Sequence, residues 1–157
     1  NQVEADMIAA MVERIFRQVD HFDDSATVGV IVPYRNQIAT VRNAIDRYGI
    51  PALHSITIDT VERFQGSQRD YIIYGLTVQQ RYQLNFLTDN VFEEDGTLID
   101  RKLNVAMTRA RKHLTIVGNP DILAGSAVYR RLMDFMKSRG CYFNVACEKF
   151  CAGDFSV

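Results

Sequence analysis

Val28-Gly-Val-Ile-Val32 is a continuous run of apolar residues, four of its five β-branched, closed by Pro33. A strand with no polar–apolar alternation is one covered on both faces. Such a run is expected of a strand inside a sheet with both faces covered. The rest of the chain supplies helices to cover them. Ile8, Met11, Val12, Ile15, Phe16 and Val19 recur at three- and four-residue steps, which predicts an amphipathic helix over Val3–Val19. Beyond the polar link 20–27 and the strand, Ile38, Val41, Ile45 and Tyr48 mark a second helix, stopped by Gly49 and Pro51. Ser55–Ile58, Tyr71–Leu76 and Leu114–Gly118 read as further strands. A last helix runs from about Ser126 to Arg139, with Val128, Leu132, Phe135 and Met136 inward and Gly140 as its stop. Strands alternating with helices predict an α/β fold with a mostly parallel, doubly wound sheet. One segment departs from the alternation. Val91–Ile99 has an Asp-Gly turn between short apolar arms, a hairpin signal.

The 157 residues fit one domain, with an apolar fraction of 47% and a charged fraction of 24% ordinary for a soluble globular protein. No apolar run reaches the roughly 18–20 residues of a membrane span, and no signal peptide opens the chain, so no membrane partner and a cytoplasmic location are expected. Cys141, Cys147 and Cys151 follow no common zinc spacing and read as free thiols, with no metal site expected. The tail after about residue 140 matches no pattern and has no assigned role. There is no G-x-S-x-G and no H-E-x-x-H.

Against a net charge of −1, the stretch Arg101–Lys112 concentrates five cationic side chains. Continued as one helix, Leu103, Ala106, Met107 and Ala110 make an apolar stripe, and Arg101, Asn104, Thr108 and Arg111 a polar one. A helix that delivers arginines to the edge of a buried sheet suits a phosphate or another anion. A solvated basic face is the simpler reading of an arbitrary cluster of this kind.

Leu103-Asn-Val-Ala-Met-Thr-Arg-Ala-Arg111 resembles motif VI of superfamily 1 helicases, in the branch containing the nonsense-mediated-decay helicase and the Dna-two-type nuclease-helicases. Asn1-Gln-Val-Glu-Ala5 is similar to that family's N-x-x-E-A entry to its second motor domain, Val32-Pro-Tyr-Arg-Asn-Gln37 to motif IV, and Thr60-Val-Glu-Arg-Phe-Gln-Gly-Ser-Gln-Arg-Asp70 to motif V. Four motifs in order and spacing cover residues 1 to about 125. The resemblance implies a RecA-like (P-loop NTPase-like) domain, 1–157, within a longer ATP-dependent helicase or translocase.

It also implies roles for individual residues. Arg109 would be the arginine finger on the γ-phosphate, with Arg35 as a second catalytic cation. Tyr34, Arg35, Gln37, Gly66, Gln68 and Arg111 would contact the nucleotide, and Thr60 the nucleic-acid strand. Read from the residues alone, Tyr34 and Arg35 could simply open a helix, and Asp59 or Thr60 could simply cap one. Because open α/β sheets bind ligands at the carboxyl ends of their strands, the motifs are expected to converge there. Two positions depart from the family: Gln68 stands where an acidic residue is usual, and Glu62 where Asp is usual. An amide has one acceptor oxygen where a carboxylate has two, so a ribose contact at Gln68 would be weaker.

The chain has no G-x-x-x-x-G-K-[ST] and no Asp-Glu magnesium box. The expected cofactor is ATP with Mg²⁺, its metal ligands lying on a first RecA-like domain of the same parent chain. The other expected partner is single-stranded DNA or RNA. A non-catalytic RecA-like binding module is the alternative. An unrelated dinucleotide-binding domain is disfavoured by the absence of any G-x-G turn.

Overall fold

A computed structural model of the chain describes residues 1–64 and 67–153. Its centre is a four-stranded sheet in the order β2-β1-β3-β6, every pair parallel. The strands are β1 (Val28–Val32), β2 (Thr57–Thr60), β3 (Arg69–Gly75) and β6 (Ala110–Val117). Helices α1 (Gln2–Gln18) and α2 (Arg35–Asp46) cover one face, where Ile8, Val12, Val41 and Ile45 pack on Val28, Val30, Val32 and Ile73. On the other face α4 (Arg101–Arg109) and α6 (Ala127–Ser138) contribute Leu103, Ala106 and Tyr129 over Ile31, Ile72 and Tyr74. All five residues of β1 are buried, as its unbroken apolar run requires. The α/β, RecA-like reading holds, with helices on both faces.

The hairpin also forms. β4 (Val91–Glu94) pairs antiparallel with β5 (Thr97–Asp100), apart from the main sheet, and Asp95 and Gly96 make the turn with φ of 51° and 74°. Other boundaries differ from the sequence reading. β2 lies two residues later than Ser55–Ile58, and β3 begins at Arg69. The segment after β2 is a single turn closed by Phe64 N donating to Thr60 O at 3.0 Å, and Asp59 Oδ1 accepts from Thr60 N at 2.8 Å. The cationic helix stops at Arg109 because β3 recruits Ala110 onward as an edge strand. Arg111 and Lys112 are therefore strand residues, and the long polar stripe does not exist. Met107 is 52% exposed and not part of the core. On α6, Phe135 is exposed and Tyr129 is the buried aromatic. Three short helices were not anticipated: α3 (Arg81–Leu87), α5 (Pro120–Leu123) and α7 (Cys147–Cys151). In α3 the signal was present, since Gln80 and Gln83 form a reciprocal cap and Leu84 and Leu87 are buried.

The N-x-x-E signature has a structural use. Asn1 caps α1, its Oδ1 accepting from Glu4 N at 3.1 Å, while Asn1 Nδ2 donates to Glu4 Oε2 at 3.1 Å and to Thr77 O at 3.2 Å. Glu4 Oε1 accepts from Thr77 N at 2.6 Å. Thr77 has φ 70°, a conformation that costs a β-branched residue about 1–3 kcal/mol and persists only where neighbours hold it. Gly75 lets α1 come this close: a Cβ there would stand 2.5 Å from Ile8 Cδ1 and 3.2 Å from Glu4 Oε1.

Burial lifts the Glu4 carboxyl to about 7, against the smaller opposing pull of the Thr77 N–H. A raised folded-state pKa means that stability is full below the unfolded value of 4.5 and is lost as pH rises through 7. The loss is bounded at about 3 kcal/mol by the size of the shift. The melting temperature is thus expected to fall between pH 5 and pH 8, and the Glu4→Gln variant to show a flatter profile. Equal pH dependence in the two proteins would refute the assignment.

Candidate functional site

The strand register separates the expected site residues into two groups. At the carboxyl edge, β1 runs into Pro33 and Tyr34, and α2 starts with Arg35. β2 ends beside it at Thr60, whose register partner on β1 is Val32. Between these ends opens a cleft of about 490 Å³ lined by Pro33, Tyr34, Arg35, Asn36, Thr60, Glu62, Arg63 and Phe86. Thr60 is 5% exposed, and Arg35 and Arg63 are exposed. The Tyr34 hydroxyl donates to Gln83 O at 3.0 Å, and its ring stacks on Phe86 with centroids 4.9 Å apart and planes at 25°. Burial raises the pKa of that hydroxyl, which keeps it a donor.

At the amino edge, β3 and β6 start level with one another, Arg69 pairing with Ala110. Gln68 Nε2 donates to Thr108 O at 3.1 Å, joining the loop before β3 to the last turn of α4. Arg109 follows, and its Nε is buried without a hydrogen-bond partner. A buried guanidinium nitrogen left unpaired is costly unless a ligand or partner surface completes it.

The convergence of all motifs at the carboxyl edge is therefore corrected. Tyr34, Arg35 and Thr60 meet there, but Gln68, Arg109 and Arg111 lie at the opposite end of the strands, roughly 16 Å away for a five-residue strand. The cause is the turn after β2, which leads the chain back across the sheet to start β3 in parallel. Phe64 folds over β1 on this path, and a Cβ on Gly29 would stand 2.5 Å from its ring.

Two expected contacts are already engaged within the domain. Gln37 is buried, with Nε2 donating to Asn1 O at 2.9 Å and Oε1 accepting from the Asn1 main-chain nitrogen at 3.1 Å. It joins α2 to the start of α1, with both amide atoms engaged inside the domain. Arg111 donates from Nε to Asp70 Oδ1 and from Nη2 to Ala26 O, both at 2.9 Å. That hydrogen bond, with Lys112 at 3.6 Å, holds the Asp70 carboxyl below the usual range. Gly66 lies outside the described residues.

The sequence reading missed Arg69, Phe86 and Lys102. Arg69 is 8% exposed and donates to Ser67 Oγ at 2.5 Å, Gln68 O at 2.8 Å and Thr57 Oγ1 at 2.9 Å. It ties the segment before β3 to the start of β2 and so sets the position of Gln68. Lys102 is 4% exposed, donates to Phe86 O at 3.0 Å, pairs with Asp89 at 3.1 Å, and stands 4.2 Å from the centre of the Phe86 ring. No signal in single-sequence periodicity marks such a lysine. Among the described residues no cluster of three or more His, Cys, Asp or Glu is placed to hold a metal, and no helix is long and apolar enough to cross a membrane.

Comparison with known proteins adds a second line of evidence. Residues 1–121 match the family described as AAA domain. The chain is 32% identical over 141 residues to Helicase sen1 of Schizosaccharomyces pombe, covering 88% of the chain and 8% of that protein. It is 31% identical over 153 residues to Helicase SEN1 of Saccharomyces cerevisiae, covering 96% of the chain and 6% of that protein. With Regulator of nonsense transcripts 1 homolog of Drosophila melanogaster the identity is 36% over 118 residues, 71% of the chain and 9% of that protein. The chain thus spans less than a tenth of each of these relatives.

If Arg69 holds the segment before β3, Arg69→Ala should destabilise the domain by about 2–3 kcal/mol, the scale of losing charge-assisted bonds in a buried place. Amide exchange should accelerate first at Thr57–Thr60 and Ser67–Arg69. A uniform acceleration over the whole sheet would mean that Arg69 has no local role.

Proposed function

The chain belongs to the AAA domain family, as a C-terminal RecA-like motor domain of superfamily 1 helicases in the branch of Sen1 and the nonsense-transcript regulators, and from this we propose that it supplies the second half of an ATP-hydrolysing site and one wall of a nucleic-acid groove. The first half, with the phosphate-binding loop and the Mg²⁺ ligands, would come from the other RecA-like domain of a longer parent.

The observation that carries this reading is Arg109, a guanidinium at the end of α4 whose Nε is buried and unpartnered beside Gln68. A guanidinium with an unpaired Nε and, among the described residues, no carboxylate partner fits the phosphate end of a nucleotide better than its metal. ATP would supply the phosphoanhydride bond whose hydrolysis drives the parent. Arg109 would lie against its terminal phosphate and stabilise the charge that builds there in the transition state. Gln68 and Gly66 would flank the nucleotide. Gln68 already spends one amide proton on Thr108 O, which leaves its oxygen free for a ribose hydroxyl. Arg111 would act through Asp70 and Ala26, by fixing the start of β6 next to the finger.

The carboxyl-edge cleft is assigned to the strand of DNA or RNA. Thr60 was expected on that strand, and Tyr34 and Arg35 share its cleft. This moves Arg35 and Tyr34 from the nucleotide to the nucleic acid. Action in the cytoplasm belongs to the same proposal.

In the parent, Arg109→Ala should lower kcat by about 10³–10⁵ while leaving ATP binding largely intact, because a finger acts on charge that develops in the transition state. Arg109→Lys should rescue little, since a point charge does not reproduce the planar fork. Arg111→Ala should be milder on kcat and should lower the melting temperature. The 157-residue chain alone should show no ATP turnover. Near-normal kcat in Arg109→Ala, or a larger loss in Arg111→Ala, would overturn the assignment.

A further inference from the structure

Phe86 is a large aromatic at the rim of the carboxyl-edge cleft, 48% exposed, and it is not loose. Tyr34 stacks against it at 4.9 Å and the Lys102 ammonium stands 4.2 Å from its centre, so both hold the ring in place. Lys102 is itself buried and anchored on Phe86 O and Asp89. Tyr34 is fixed a second time by its hydroxyl on Gln83 O of α3. The result is a column in the order Lys102, Phe86, Tyr34. Its last ring lines the cleft, and among the described residues no other ring or cation is stacked on its second face.

We infer that this column is a base-stacking platform: the free face of Tyr34 takes one nucleobase of a single strand whose backbone passes Arg35, Arg63 and the Thr60 hydroxyl. The inference rests on the assignment of the cleft to nucleic acid and goes beyond it, naming the residue that holds a base and the two, Phe86 and Lys102, that position it. Three features support it. An aromatic face beside exposed cations is the chemistry of sequence-tolerant single-strand binding, in which every base offers a π-face and the arginines follow the phosphates. The Tyr34 ring is held from two sides, so little conformational entropy remains to be lost when a base docks. The chain's net charge of −1 provides no general attraction for a polyanion, so a strand would need such a local contact. An adenine from a free nucleotide could use the same ring, but the phosphate-type donors at Arg109 and Gln68 lie at the other edge of the sheet.

A short single-stranded oligothymidylate carrying one 2-aminopurine reports stacking by loss of fluorescence. Titrated at low salt with the 157-residue chain, the probe should be quenched on binding. Tyr34→Leu should abolish the quench and weaken binding about 5- to 150-fold, the range of one base–aromatic stack. Tyr34→Phe should keep the quench, which separates the ring from the hydroxyl and from any folding defect. Arg35→Ala should weaken binding and lower the salt slope by about one, with the quench at saturation unchanged. Equal affinity and quench in Tyr34→Leu would overturn the platform and leave the motor-domain reading standing. Tyr34-dependent quenching of 2-aminopurine riboside triphosphate without binding of the oligomer would also overturn it, by making the occupant a free nucleotide. If neither probe binds, both the platform and the groove assignment fall, while the kinetics of Arg109→Ala decide the hydrolytic half separately.

Discussion

The contact between Glu4 and the end of β3 is the constraint on which most of the architecture depends. A carboxylate at the start of α1 reaches a main-chain nitrogen just past the second central strand, and Asn1 bonds to both partners. Gln37 adds the start of α2 to the same knot. One buried cluster thus fixes where α1 begins, how α2 leans against it, and how the chain leaves β3. The helix layer cannot shift over the sheet without exposing Gly75 and releasing Thr77 from its left-handed conformation. That conformation would be unfavourable in an isolated strand end. It is held because Glu4, Asn1 and a close-packed helix determine it together.

The same sheet separates two kinds of chemistry. A parallel strand has distinct ends, and here each end carries different side chains. The amino ends of β3 and β6 gather a guanidinium, an amide and the Asp70–Arg111 pair. The carboxyl ends of β1 and β2 gather aromatic rings, a hydroxyl and exposed arginines. The first set suits a compact polyanion held at fixed geometry. The second suits a chain-like ligand with flat bases and a repeating charge. Neither set closes around a ligand by itself.

Much of the fold was legible in the sequence. The unbroken run of β1 and the helical spacing of α1 and α2 predict the mostly parallel sheet. The Asp95-Gly96 turn marked the hairpin. What failed was local competition between structures. Ala110 and Arg111 continue a helical pattern, yet β3 offers them a ladder of main-chain bonds, and tertiary pairing overrides periodicity. The site was legible as a set of motifs but not as an arrangement. Tyr34 and Arg35 were grouped with Arg109 because motifs carry order along the chain and no depth along a strand. Phe86 and Lys102 were invisible for a related reason: their importance comes from meeting across 16 residues, which no window of helical or strand period reports.

β3 connects the two edges. It is seven residues and roughly 20 Å long, and its middle, Tyr71–Tyr74, is paired with β1 on one side and β6 on the other. A strand paired on both sides cannot slide by a fraction of a residue, because any shift breaks both ladders at once. It behaves as a rigid rod with a handle at each end. The distance between Gln68 and the carboxyl edge is thereby set by the length of this strand.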